Sequence, residues 1–442
     1  MRRRKRMRRG LSLGSVAMLT LTALVLVCFC ALLPKFTGHI DVRTNAANLA
    51  VAIDHSLAQI ASVSHIAKPN NTALPPPVEK VPPPSVIPTE PPVTATEPPK
   101  YHFTLSAAGS LKCNSNVQKA LTTDAGYQFD LLFDQLGQRM QADLSILTLE
   151  ESVIPTAKLS DSNVPADLLT AIANAGVNAI CMGHYGVLDG GVAGLAQTKQ
   201  SIQAAGMVPY GAYASAAERA ALTLQNINGV SVALLSYQNK LTANGKKRVS
   251  KDELSFAIAS QQLPTIAQDI STVRDMGAQV VIVSLCWGKS GATSPTKTQQ
   301  ELAQGIADAG ADVILGTHPE ALQAVEILTA NRGDNRYHPV LCAYSLGNFF
   351  TYDRDKRASL ASILLQAEVV YDSGTDTVAF DQLSYTPIYS WRGKQDGKTR
   401  YRTLINTDEY ADFVDKDQKN VMERCLTLVT DVMEKSPILQ QR

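Results

Sequence analysis

The chain lacks the means by which small extracellular folds are usually stapled. Of its seven cysteines, Cys28 and Cys30 fall in an apolar run near the start. The other five (Cys113, Cys181, Cys286, Cys342 and Cys425) are odd in number and widely scattered. That spacing excludes a disulfide framework and a zinc ribbon. Burial alone must hold the core, which a domain of about 300 residues can manage. Histidine is equally scarce: seven in 442 residues, of which only His102, His184, His318 and His338 lie beyond residue 100. A well-charged binuclear metal centre built on imidazole is therefore not expected. A strong charge of either sign is also missing. The net charge is +1, but seven of the 41 basic residues sit in the first ten, leaving 34 against 40 acidic ones. Nothing in that balance suggests nucleic acid as a partner.

What is present begins with an address. The basic tail MRRRKRMRRG (1–10) precedes 23 uncharged residues, 11–33. As a helix that run is roughly 34 Å long, enough to cross a hydrocarbon core of about 30 Å. A cleaved signal peptide shares the basic-then-apolar order. The run is long for that, however, and Pro34-Lys35-Phe36 is a poor cleavage site. The expectation is a single-pass cell-membrane anchor, N-terminus cytoplasmic and the rest extracellular. Residues 34–68 read as a juxtamembrane stalk. Residues 69–100 form a Pro-rich linker, with 12 prolines between Pro69 and Pro99. Such a spacer favours polyproline II and reaches at most roughly 95 Å.

From Tyr101 onward, apolar runs alternate with helical patterns. HFTLSAAGS, LSILTLEES, VNAICM and VSVALLSY read as strands, and VPADLLTAIANAG and GVAGLAQTKQSIQAAG as helices. DLLFDQLGQRMQ also looks helical. NAGVNAICMGH (174–184), DMGAQVVIVSLCWG (275–288) and DAGADVILGTH (308–318) repeat one design: helix end, Ala-Gly or Met-Gly, buried strand, then a tip bearing His184, Cys286 or His318. Alternation of this kind predicts α/β, with ligand groups at the carboxyl ends of parallel strands. Residues 358–389 alternate without a helix and predict closing antiparallel strands. The segment 391–442 is expected to be a helical extension.

Several ordered matches carry a resemblance: TLE (148–150), VLDGGVAGLAQT (187–198), WG (287–288), Gln299, Leu302-Ala303, DAGADVILGTHPEALQ (308–323) and YSLGNF (344–349). Over about residues 101–390 the chain resembles the capsule-synthesis protein A family, tied to poly-gamma-glutamate capsules. Its domain is similar to calcineurin-like metallophosphatases. The resemblance implies a four-layer α/β/β/α fold, two packed sheets flanked by helices, and a cleft with paired metal ions. It also implies capsule or envelope-polymer biosynthesis, with an anionic polymer or its assembly machinery as partner.

At several ligand positions the chain departs from the family, while Glu150 and His318 remain. Ser110 stands where the first strand normally ends in Asp. Thr148 replaces the Asn before Glu150. Aligning on Leu188-Asp189 leaves Gly186 in a histidine slot, with His184 two positions early. Cys286 precedes Trp287-Gly288 in place of His, and Thr317-His318-Pro319-Glu320 keeps only the middle histidine of Gly-His-His-Pro-His. The cleft is thus expected at Ser110, Glu150, Asp189, Cys286, Trp287, His318, Glu320 and Asn348, with His184, His318 and Asn348 as catalytic candidates. If any metal binds, Glu150, His184, Cys286 and His318 are its candidate ligands, and one Zn or Mn ion is the cofactor they suit. Plainer readings stand beside these: His318 capping a following helix, Asp189 in a turn, Asn348 orienting a loop, and Cys286 as a small buried hydrophobe. The expectation is a metallophosphatase-like protein without a full catalytic site. The alternative is a metal-dependent phosphoesterase-like hydrolase with a rebuilt mononuclear zinc-like site.

Overall fold

Hydrophobic strand runs and Gly-terminated helices account for most of the architecture. A computed structural model describes residues 98–154, 160–407, 409–436 and 438–441. The expected cytoplasmic tail, membrane anchor and stalk, and nearly all of the expected linker, lie outside the described residues. Among the described residues, no helix is long and apolar enough to cross a membrane.

The first sheet starts with β1 (Lys100–Leu111) and β2 (Leu144–Leu149), followed by β3 (Ala179–Cys181) and β4 (Val208–Tyr210), all parallel. The second sheet takes β5 (Leu224–Ile227), β6 (Val230–Gln238), β7 (Val280–Cys286), β8 (Val313–Thr317), β9 (Val325–Ala330) and β10 (His338–Ala343), in the order β9-β10-β8-β7-β6-β5. Its inner four strands are parallel and its two edge strands antiparallel. The chain then returns to the first sheet. β11 (Asn348–Phe350) pairs with β1, and β12 (Ala361–Asp372), β13 (Thr377–Gln395) and β14 (Lys398–Ile405) complete the order β14-β13-β12-β1-β2-β3-β4.

The two sheets pack face to face. Phe103, Leu105 and Ile146 from one meet Val232, Ile282 and Val313 from the other in one buried cluster. Further buried clusters lie on the opposite faces. Leu168, Leu169 and Ile172 of α2 (Asp167–Asn174) and Leu195 and Ile202 of α3 (Gly191–Ala204) cover the first sheet; α1 (Ser115–Ala120) adds Val117. Ile266, Ile270 and Val273 of α4 (Leu263–Asp275) and Ala303 and Ile306 of α5 (Lys297–Asp308) cover the second. This is a mixed α/β fold, as expected.

Two local expectations need correction. Residues 130–141 are not one helix but two 3₁₀ turns, Phe129–Leu132 and Gly137–Met140. Gly137, at φ +54, opens the second turn in a conformation that breaks continuous helical winding. The segment 391–442 is not uniformly helical. KTRYRTLI buries Tyr401, Thr403 and Leu404, and it pairs along the whole end of β13. Only α6 (Lys416–Met433) is an α-helix there, capped by Asp415 and Gln418, with Met422, Cys425, Val429 and Met433 buried.

Candidate functional site

The parallel strands end level with one another. In the first sheet Ser110 pairs with Thr148, and Thr148 with Cys181. In the second, Gln238 pairs with Cys286, and Cys286 with Thr317. The residues just past those tips therefore share one cleft. Near it the sheets approach closely: Tyr210 Oη and Ser284 Oγ are 2.8 Å apart, and a Cβ on Gly183 would stand 2.0 Å from Ser236 Oγ.

Gly316 lets the buried run DVIL continue as strand β8 to Thr317. A Cβ there would lie 1.9 Å from the Tyr344 carbonyl oxygen and 2.5 Å from Trp287 Nε1. Trp287 stacks on Tyr344 and donates from Nε1 to its carbonyl at 2.7 Å. Trp287 is thus a wedge that fixes the tips of β8 and β10. Beyond Thr317 no helix follows, which corrects the capping reading of His318. Instead His318 and Glu320 both take left-handed backbone, φ +86 and +62. Such strain in non-glycine residues concentrates at sites whose surroundings hold it in place. It turns His318 against the Tyr185 ring at 5.5 Å, while the Glu320 side chain reaches back toward β1.

At the centre lies a residue the sequence reading missed. Lys112, two residues past Ser110, places its Nζ 3.2 Å from Glu150 Oε2 and also bonds Glu320 Oε1. Ser290 Oγ donates to the other Glu320 oxygen at 2.8 Å. All three charged side chains are mostly buried, at 20%, 15% and 24% exposure. Burial opposes the charge on Lys112, but Glu150 and Glu320 outweigh it and hold its pKa well above the ordinary lysine value. Burial likewise opposes ionisation of Glu150, yet Lys112, His184 and the Ser110 hydroxyl leave its pKa lowered. The triad is a fixed carboxylate–ammonium–carboxylate bridge across both sheets. The available signal was a lysine two residues past the strand tip Ser110.

The remaining expected residues lie around this bridge. His184 is buried, and its Nδ1 accepts the Gly186 N–H at 3.2 Å. Burial pushes its pKa down to about 4, so the ring is neutral at physiological pH. His318 is also shifted down, by burial and then by Lys240. Cys286 is 2% exposed, and burial together with Glu150 raises its thiol far above the reactive range. Asp189 accepts the Thr242 hydroxyl and closes a turn onto Gly186, a structural task. Asn348 donates from Nδ2 to the carbonyls of Glu320 and Ser359, tethering the Glu320 turn, while its Oδ1 is buried without a partner. His102 pairs with Glu368 and His338 with Asp334, both away from the cleft. The five cysteines beyond residue 100 are free and buried.

The paired metal ions implied by the resemblance do not fit this donor set. Among the described residues, no group of three or more His, Cys, Asp or Glu is arranged to hold a metal ion. An ammonium nitrogen bonds both Glu150 and Glu320. The cleft presents carboxylate, amine and neutral imidazole in fixed hydrogen-bonded places. That suits recognition of a polar group better than activation of water.

Residues 104–353 match the profile of a family described as bacterial capsule synthesis protein PGA_cap. The chain is similar to the capsule biosynthesis protein CapA of Bacillus anthracis, 27% identical over 220 residues, 47% of this chain and 48% of that protein. It is similar to the PGA biosynthesis protein CapA of Bacillus subtilis (strain 168), 28% identical over 232 residues, 51% and 56%. It thus spans about half the length of the curated relatives it matches. Solved structures with some likeness include a novel phosphatase from Mycoplasma pneumoniae, at 13% identity and TM-score 0.39, covering 65% of this chain and 94% of that one. Another is a calcineurin-like phosphoesterase, YfkN, from Bacillus subtilis, at 10% identity and TM-score 0.35, covering 76% and 99%.

Proposed function

Because this chain belongs to the bacterial capsule synthesis protein PGA_cap family, we propose that it serves the making of a capsule or other anionic envelope polymer as a non-catalytic, membrane-anchored component. In this reading the N-terminal segment holds the domain at the cell membrane. The Pro-rich segment carries the domain outward, and the strand-tip cleft engages the polymer or its assembly machinery. The names of both relatives, one a capsule and the other a PGA biosynthesis protein, support the capsule and poly-gamma-glutamate connection. One observation carries the non-catalytic part: Lys112 binds both Glu150 and Glu320, so the carboxylates that would hold a cation already hold an amine.

The test uses the full-length protein purified in detergent and incubated with Mn or Zn. The expected result is no stoichiometric metal by elemental analysis and no hydrolysis of phosphate esters. In cells, His318→Ala would sustain polymer production wherever the protein accumulates normally. Two bound metal equivalents with phosphoesterase turnover would overturn the reading.

A further inference from the structure

A second polar site lies beside the cleft, and its charge is unbalanced. A cavity of about 480 Å³ opens between α1, β13 and β14, with Lys119, Arg392, Asn116, Thr399 and Tyr352 in its wall. Tyr352 stands in its wall and feels the charges of Lys112 and Glu151. Arg392 lies over the Tyr401 ring, 6.0 Å from its centroid, which holds the guanidinium against the wall. No carboxylate lines the cavity among the described residues. The nearest acids around Tyr352, Asp161 and Asp353, accept backbone N–H groups of Ser115 and Asp355.

Arg354 adds a third cation behind that wall, interacting with Arg392 and Tyr401. Its Nη1 donates to the Ser390 carbonyl, but Nε and Nη2 are buried without an acceptor. Arg354 is not in the cavity wall, so it acts on the basin through its charge rather than by contact. The cavity of about 560 Å³ at the opposite end of the strands makes the contrast. It too holds three arginines, but each faces an acid: Arg274 and Arg332 on Asp312 at 2.6 and 2.9 Å, and Arg336 on Asp334 at 3.3 Å. Arg354 and Arg392 have no such partner among the described residues, and Lys119 has only the more distant charge of Asp161, which already accepts the Ser115 N–H.

We propose that this basin binds an oxyanionic group, a carboxylate or a phosphate, with Lys119 and Arg392 in contact and Arg354 supplying the buried charge. The site stands apart from the reading of the central cleft and does not depend on whether that cleft holds a metal. The test titrates the full-length protein with fluorescent poly-L-glutamate and, separately, with inorganic polyphosphate. Lys119→Gln and Arg392→Gln, both at exposed side chains, are expected to weaken binding by about fivefold each, with a steep salt dependence. Lys297→Gln, on an exposed helix face paired with Glu301, serves as the control and should leave affinity unchanged. Response to the first probe alone assigns a carboxylate ligand, and to the second alone a phosphate. Binding of neither, or an equal loss in the Lys297 variant, would overturn the proposal. Arg354→Leu extends the test where it folds; the two surface variants decide it where it does not.

Discussion

Lys112 settles the character of the cleft by itself. A lysine ammonium is a compact charge with three donors, so it satisfies two carboxylates from different sheets at once. Replacing it with methionine leaves Glu150 and Glu320 mostly buried and facing each other. We expect Lys112→Met to destabilise the protein by about 2–3 kcal/mol in urea unfolding, below the range for a fully buried pair because all three side chains keep some solvent. The same variant should gain thermal stability from added Mn that wild type does not gain, since the freed carboxylates then need a cation. Equal Mn shifts in the two proteins would contradict the assignment of Lys112 as the resident cation. Asn348 acts differently: it orients the turn bearing Glu320 through backbone carbonyls.

At the scale of elements, the site is made by strand ends that stop in register. β8 ends under the Trp287 indole because Gly316 has no side chain to keep it away. Gly316→Ala should cost about 2–3 kcal/mol through overpacking, since the Tyr344 backbone it meets cannot rotate aside. Its unfolding midpoint should fall at unchanged m-value. A full-stability alanine variant would show that Trp287 does not wedge the two tips. The helix–Gly–strand repeats at 174–184, 275–288 and 308–318 were readable because each helix ends at a glycine, Gly176, Gly277 or Gly310, in positive φ. The Phe129–Met140 turns and β14 were not. A helical apolar pattern is interrupted in one, and the strand in the other exists because β13 runs long enough to pair with it.

Across the whole molecule, buried titratable groups set a pH optimum. Burial, with Glu150 nearby, pushes the Glu151 carboxyl up to about 8 even though it accepts the Cys113 N–H at 2.5 Å. Between its ordinary 4.5 and 8 the folded protein keeps a proton that the unfolded chain releases, so stability falls as pH rises through that window. His184 has the opposite sign. Its folded value of about 4 lies below the ordinary 6.5, so stability falls as pH drops from 6.5 toward 4. Glu150, also lowered, adds to the loss on acidification. The two slopes oppose one another between 4.5 and 6.5, which places the maximum there. Glu151→Gln should flatten the limb above pH 6.5 and leave the acid limb intact, measured by denaturation midpoints across pH. A limb that stays steep in that variant would assign it to another group.

The amino-acid order alone determined the alternation of strands and helices and the family motifs, because these are local patterns of polarity and residue type. It also named the tips that meet, since parallel strands with repeated endings converge. Only the tertiary structure decided what fills the cleft. Lys112 is unremarkable in sequence and acquires its role when β1 is set beside Glu150 on β2 and the left-handed turn at Glu320 after β8. Likewise the unpaired edge of Arg354 and the acid-free wall beside it arise where β11, β13 and β14 return to a sheet begun more than 200 residues earlier. Local pattern cannot report such meetings, since they depend on which distant charges burial forces together.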